Sequence, residues 1–169
     1  MQKKRHNRKY DGKKLGWLKD GKKFFLMILA AIVLFRILLG ISFVDGDSMH
    51  PTLKNGTPVL YFRLAGSFDT GDIVSVRMPG GAYYIKRVVA VAGDTVELRD
   101  GKLYVNGAPS SINAYGATEG QSELVEYPLT VQDGHIFVMG DNREVSIDSR
   151  TFGEISVTQV RGKIIIPNR

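Results

Sequence analysis

The chain has 169 residues, no cysteine, and 23 Lys and Arg against 17 Asp and Glu, a net charge of +6. That length holds one ordinary domain and an accessory segment, and a chain without cysteine has no disulfides, thiol nucleophiles or zinc-thiolate sites. The charge suggests a nucleic-acid binder only until it is mapped: residues 1–23 carry ten of the Lys and Arg, and the remainder carries 13 basic against 15 acidic groups. The basicity belongs to a tail, and nucleic acid is not an expected partner.

The tail runs into Phe24 to Val44, twenty-one residues whose only charge is Arg36. As a helix this stretch measures about 31 Å, close to the ~30 Å hydrocarbon core of a bilayer. It is expected to span the membrane as a signal anchor, with the basic flank 1–23 in the cytoplasm and residues 45–169 outside. Arg36 lies past the middle, where its long side chain can snorkel to the outer interface. The competing reading is a cleaved secretory signal, with Gly40-Ile41-Ser42 as a small-x-small cleavage site. Cleavage there would leave Ser48 six residues from a new N-terminus and release the domain from the membrane.

Beyond the anchor the pattern is that of strands. Thr57–Leu64, Asp72–Met78, Ala82–Ala92, Asp94–Leu98, Lys102–Val105, His135–Met139 and Gln159–Ile166 are rich in Val, Ile, Tyr and Phe and are separated by Gly, Asp, Asn or Pro. Gly80-Gly81, Asp100-Gly101 and Asn106-Gly107 read as hairpin turns. Ser110–Asp133 lacks a clear period and reads as a loop-rich excursion with at most a short strand. The expected architecture is mainly β, an antiparallel and partly closed barrel-like domain preceded by one transmembrane helix.

The chemistry-bearing residues begin with an exclusion. A serine triad needs a histidine held near the nucleophile, and the chain has only His6, His50 and His135. His6 falls in the tail, His50 follows Ser48 by two residues, and no motif attaches to His135. Gly46-Asp47-Ser48-Met49-His50 also lacks the closing glycine of a G-x-S-x-G elbow. A lysine can replace histidine as base if burial lowers its pKa from about 10.4 toward neutrality, a change of roughly 4 kcal/mol. In the strand Tyr83-Tyr84-Ile85-Lys86-Arg87-Val88-Val89, alternation puts Lys86 with Tyr84 and Val88 on one face and Arg87 on the other. The plain alternatives are a turn serine before Pro51 and a solvated strand lysine.

Three segments in order, Val44-Asp45-Gly46-Asp47-Ser48-Met49-His50-Pro51-Thr52-Leu53, the YIKR strand around Lys86, and Gly140 to Gly153 (GDNREVSIDSRTFG), together resemble the type I signal peptidase family. With little sequence between the lysine strand and the last motif, the chain is most similar to the short Gram-positive form. The resemblance implies a serine endopeptidase that cleaves signal peptides from exported preproteins, with Ser48 as nucleophile and Lys86 as general base. It implies the Ser48 backbone N–H as oxyanion donor. Gly46 stands where some members carry a second donor serine, so the second donor is left open. It also implies a Ser146 hydroxyl on the lysine, structural ionic roles for Asp141, Asp148 and Arg150, and Arg87 as the partner of Asp141. Val145 departs from the asparagine common before that serine.

The implied substrates have small residues at −1 and −3 and bind as an added β-strand, with Phe43, Met49 and residues in Val59–Leu64 as candidate surface. The implied setting is the lipid bilayer, near the export machinery. No cofactor is expected, and no metal: Asp45-Gly46-Asp47 sets Gly56 where a calcium loop requires glutamate. Two other functions compete. A self-cleaving Ser-Lys repressor-type protease needs an internal Ala-Gly bond, present only at Ala65-Gly66 and Ala92-Gly93 among expected strands. A catalytically silent, membrane-tethered β module would have no use for both Ser48 and Lys86.

Overall fold

The computed structural model describes residues 12–112 and 114–167. Residues 1–11 of the basic tail, His6 included, therefore lie outside the described residues. The chain divides into a helical unit ending at Leu38 and a β unit beginning at Leu39.

Helix α1 (Gly12–Leu38) carries the apolar run, and its side chains from Phe24 to Ile37 are exposed around the whole circumference. It stops six residues short of the expected Val44. Leu39–Phe43 instead forms β1, antiparallel to β2 (Pro58–Phe62), with Leu39 opposite Phe62 and Phe43 opposite Pro58. The reason is local: Gly40 lies against the ring of buried Tyr61, where a Cβ would come within 2.2 Å of the ring, so the glycine lets the two strands close over it. An apolar run does not by itself distinguish strand from helix. The apolar part of α1, Phe24 to Leu38, is then about 22 Å long, and among the described residues no helix is long and apolar enough to cross a membrane.

The other strands follow the alternation closely: β3 (Ile73–Arg77), β4 (Tyr83–Val91), β5 (Thr95–Arg99), β6 (Lys102–Val105), β7 (Ala108–Pro109), β8 (Leu129–Thr130), β9 (His135–Met139), β10 (Ile155–Ser156) and β11 (Val160–Ile166). Between β9 and β10 lies the single-turn helix α2 (Ser149–Phe152). All strand pairings are antiparallel, in a seven-stranded sheet ordered β1-β2-β11-β3-β4-β9-β10 and a four-stranded sheet ordered β7-β6-β5-β8. Both sheets are open, ending in edge strands.

Three apolar clusters make the core. Val89, Ala90, Phe137 and Met139 pack with Val96, Leu103 and Val131, joining the two sheets. Val74, Val76, Val88, Ile136, Val138 and Ile155 form a second cluster. The third gathers Val44, Met49, Leu53, Val59, Tyr61, Ile73 and Ile164. It anchors the turn after β1, because Met49 and Leu53 are buried there on either side of the exposed His50.

Candidate active site

Ser48 sits on that turn. Val44 and Thr57 bond across its base, the Val44 N–H donating to the Thr57 carbonyl at 2.9 Å, while the Leu53 N–H donates to the Met49 carbonyl at 2.8 Å. With both flanks fixed and Met49 buried, the Ser48 side chain is set toward β4. There Lys86 is 4% exposed, and its Nζ is hydrogen-bonded to Ser48 Oγ at 2.7 Å. The amine also lies 5.4 Å from the centroid of the Tyr84 ring.

Burial pushes the Lys86 ammonium down to about 8, opposed first by the negative charge of Asp148, then helped down by Arg150 and opposed by Asp141. Desolvation wins because each of those carboxylates is already paired. Asp148 Oδ1 accepts from Arg150 Nε and Oδ2 from Arg150 Nη2, both at 2.9 Å. Asp148 also caps α2 through the Arg150 N–H and accepts the Gly140 N–H at 2.9 Å. Asp141 takes a two-pronged contact from Arg87, Nε to Oδ1 at 2.8 Å and Nη2 to Oδ2 at 2.7 Å, and a further bond from the Thr52 hydroxyl. Arg87 thus ties β4 to the 140–153 loop, and Thr52 ties the turn that carries Ser48 to the same carboxylate.

Gly140 explains how closely these parts approach. A Cβ there would lie 2.2 Å from Ser146 Oγ and 2.5 Å from the Ser48 carbonyl oxygen, so only glycine fits between the Ser48 backbone and Ser146. The Asn142 N–H donates to that Ser48 carbonyl at 3.0 Å. Ser146 is buried beside Gly140, but its hydroxyl makes no hydrogen bond. The expected contact from Ser146 to the Lys86 amine is therefore not formed here. The amine's hydrogen bond goes to Ser48 instead.

The second oxyanion donor is left open by the sequence, with the region of Gly46 as its candidate. The Gly46 N–H is engaged by Asn55 Oδ1 at 3.1 Å, which removes the Gly46 backbone as a second donor. The N–H of Ser48 donates to no other described residue. Neither His50 nor His135 lines the cavity that holds the dyad. His50 stands edge-on to Tyr115, and His135 contacts the Asp133 carbonyl through Nδ1.

That cavity, about 370 Å³, is walled by Phe43, Val44, Met49, Tyr83 and Ile85, with Val145 and Ile147 from the last motif at its rim. Residues of β2, the expected Val59–Leu64 surface, do not line it. Along β4, Tyr83 to Ile85 pair with β3 on one side, and pairing with β9 begins only at Arg87. Among the described residues the other edge of Tyr83–Lys86 is unpaired.

The family model for signal peptidase, peptidase S26, matches residues 17–168. The chain belongs to this family. It is 33% identical over 162 residues to signal peptidase I S of Bacillus subtilis (strain 168), covering 89% of this chain and 88% of that protein. It is 35% identical over 140 residues to signal peptidase IB of Staphylococcus aureus (strain Mu50 / ATCC 700699), covering 72% and 73%. A crystal structure of a signal peptidase I from Enterococcus faecalis V583, 32% identical, aligns over 59% of this chain and 97% of that one with a TM-score of 0.46.

Several residues of this S26 peptidase site gave no signal in the sequence. The loop-rich excursion, without any period of its own, straps the 140–153 loop from outside. Gln121 Nε2 donates to the Ser146 carbonyl at 2.9 Å, and Gln121 Oε1 accepts from the Thr151 hydroxyl at 2.7 Å. Buried Arg143 donates to the Gly140 carbonyl and the Thr118 hydroxyl, and burial, with Arg150 nearby, pushes its guanidinium down to about 10. Tyr115 forms a bridge with Asn142. Arg143 and Asn142 lie within the last motif, which assigns them no role, and Tyr115, Thr118 and Gln121 belong to no motif, so only the contacts themselves identify these residues.

Proposed function

We propose that this chain is a membrane-bound serine endopeptidase that removes N-terminal signal peptides from exported preproteins, with Ser48 and Lys86 as its dyad. The observation that carries the reading is the buried 2.7 Å pair of Lys86 Nζ and Ser48 Oγ in a chain of the peptidase S26 family. Neutral Lys86 takes the hydroxyl proton as Ser48 Oγ attacks the scissile carbonyl. The Ser48 N–H receives the developing oxyanion. The lysine ammonium then protonates the leaving amine, giving an acyl-enzyme, and the amine so regenerated deprotonates the water that releases the signal peptide from Ser48.

The unpaired edge of Tyr83–Lys86 suits addition of the substrate as a further antiparallel strand, its backbone bonding to β4. Two successive inward-facing side chains, −1 and −3, then enter the apolar cavity. Asp141, Asp148, Arg87 and Arg150 hold the loop and β4 in place, and Ser146, whose hydroxyl makes no bond at rest, is left to support the lysine only during the reaction. The fully exposed apolar face of α1 seats the enzyme in the bilayer. Its basic flank stays cytoplasmic and the β unit extracytoplasmic, near the export machinery. The apolar stretch is shorter than the hydrocarbon core, a mismatch that local thinning and snorkelling of Lys22 and Lys23 accommodate.

The self-cleaving alternative finds no support in the site, as neither Ala65-Gly66 nor Ala92-Gly93 lines the cavity. The test is to incubate detergent-solubilised protein with a labelled preprotein and sequence the new N-terminus. Cleavage after a small residue at −1 is expected, whereas an uncut preprotein in the presence of folded enzyme would overturn the proposal.

A further inference from the structure

Strand β3 contains a residue that its own surroundings do not account for. The strand reads Ile73-Val74-Ser75-Val76-Arg77, and Ser75 is 2% exposed among buried branched apolar neighbours. Valine would satisfy both the strand preference and the burial better, since a buried hydroxyl without a partner costs about 1–3 kcal/mol. Ser75 lies opposite Ile85 across the β3–β4 ladder, on the face that also carries Ile73. Its hydroxyl makes no hydrogen bond to another described residue. It is not sealed in, however: Ser75 lines the same cavity as Ser48 and Lys86.

Among the residues lining that cavity, only Ser75 and Lys86 are both polar and buried. Lys86 is engaged with the nucleophile. The other buried walls, Val44 and Met49, offer no polar atom to a bound side chain apart from sulfur. A ligand residue entering the cavity therefore meets one buried hydroxyl that no described protein group engages.

We propose that Ser75 is a specificity-determining residue whose hydroxyl hydrogen-bonds a serine or threonine side chain of the substrate at one of the two inward-facing positions, −1 or −3. The proposal rests on the reading of the cavity as the peptide site. It adds a contribution that small size alone does not produce: the Ser75 hydroxyl raises serine and threonine relative to alanine and valine at that position. A protein hydroxyl left without its partner penalises the apolar substrate, so the preference comes from the unmade bond as much as from the made one.

The test compares kcat/KM for preproteins carrying Ala, Ser, Thr or Val at −1 and, separately, at −3. Wild-type enzyme is run beside Ser75→Ala, Ser75→Val and Ser75→Thr. The serine-to-alanine ratio at one of the positions is expected to fall about three- to ten-fold in the alanine and valine variants, the scale of one net hydrogen bond. The threonine variant should keep it. Threonine and valine have nearly the same shape, so they separate the hydroxyl from the volume. A ratio unchanged at both positions in the alanine and valine variants overturns the proposal while leaving the peptidase reading intact. Threonine behaving as valine overturns it too, by making the effect one of size. If folded wild-type enzyme cuts none of the panel, the peptidase reading fails and this inference with it.

Discussion

Lys86 Nζ and Ser48 Oγ are hydrogen-bonded at 2.7 Å although they come from different parts of the fold, one from β4 and the other from the turn after β1. The Arg87–Asp141–Thr52 cluster holds those two parts in register, since Asp141 accepts from a residue next to each member of the pair or close to it. As the two act in a single proton transfer, Ser48→Ala and Lys86→Ala should each abolish cleavage, and the double variant should be scarcely worse than either. Lys86→Arg should be equally inactive, because a guanidinium does not give up its proton. Steady-state cleavage of a labelled preprotein measures all four, and appreciable turnover by the arginine variant would remove Lys86 as base.

The depressed pKa of Lys86, about 8, sets the direction of the pH dependence. The base is active when neutral, so kcat/KM should rise with pH through about 8 and level off above it. An optimum near pH 4 to 5 would point to a carboxylate base instead.

Stability should respond to the same group with its own sign. The ammonium is charged in both the folded and unfolded chain below about pH 8, and its burial there costs the fold about 3 kcal/mol. Between about 8 and 10.5 the folded chain has lost the proton while the unfolded chain still holds it, so the penalty shrinks as pH rises. Lys86→Met should therefore melt higher than wild type at pH 6 to 7, and the difference should fade toward pH 10. A difference independent of pH would mean that folding does not depress the lysine's pKa.

Much of this fold was legible where periodicity was strong. β3, β4, β9 and β11 lie within a residue or two of the alternating stretches that announce them, and Asp100-Gly101 and Asn106-Gly107 make the tight turns of the small sheet. β1 was not legible, because Leu-Gly-Ile-Ser-Phe continues the apolar run of α1, and the ring of Tyr61 that decides its conformation comes from a strand twenty residues on. β7, β8 and β10 are two residues each, too short to carry a period. Ser48, Lys86 and the charged residues of the last motif could be read from their segments. The clasp made by Gln121 could not, since a glutamine in an aperiodic loop has no pattern to distinguish it.

Asp148 is the most heavily used carboxylate of the last motif. It is fully buried, and it receives two bonds from the Arg150 guanidinium, one from the Arg150 N–H and one from the Gly140 N–H. Asp148→Ala leaves a buried guanidinium uncompensated and an N–H without its acceptor, so unfolding by denaturant should show a loss of about 3–5 kcal/mol. Replacing Asp148 and Arg150 together with apolar residues should cost less than the sum of the single changes, because no lone charge remains. Additive losses would mean that the pair is not coupled in the way its geometry indicates.

Ser146 sets stability against activity. Its hydroxyl is buried without a partner in the resting arrangement, pressed against Gly140. Removing an unsatisfied buried hydroxyl should stabilise the protein slightly, by about 1 kcal/mol, so Ser146→Ala is expected to melt no lower than wild type. If the hydroxyl turns to the lysine amine during the reaction, the same variant should lose roughly ten- to a thousand-fold in kcat, a barrier change of about 1.4 to 4 kcal/mol. Ser146→Thr keeps a hydroxyl and should recover part of that loss. Gly140→Ala is the control for crowding: its methyl group would meet both Ser146 Oγ and the Ser48 carbonyl, so it should lower kcat and melting temperature together. Thermal melts and single-turnover cleavage on the three variants separate these effects, and wild-type kcat in Ser146→Ala would show that the buried hydroxyl takes no part in the chemistry.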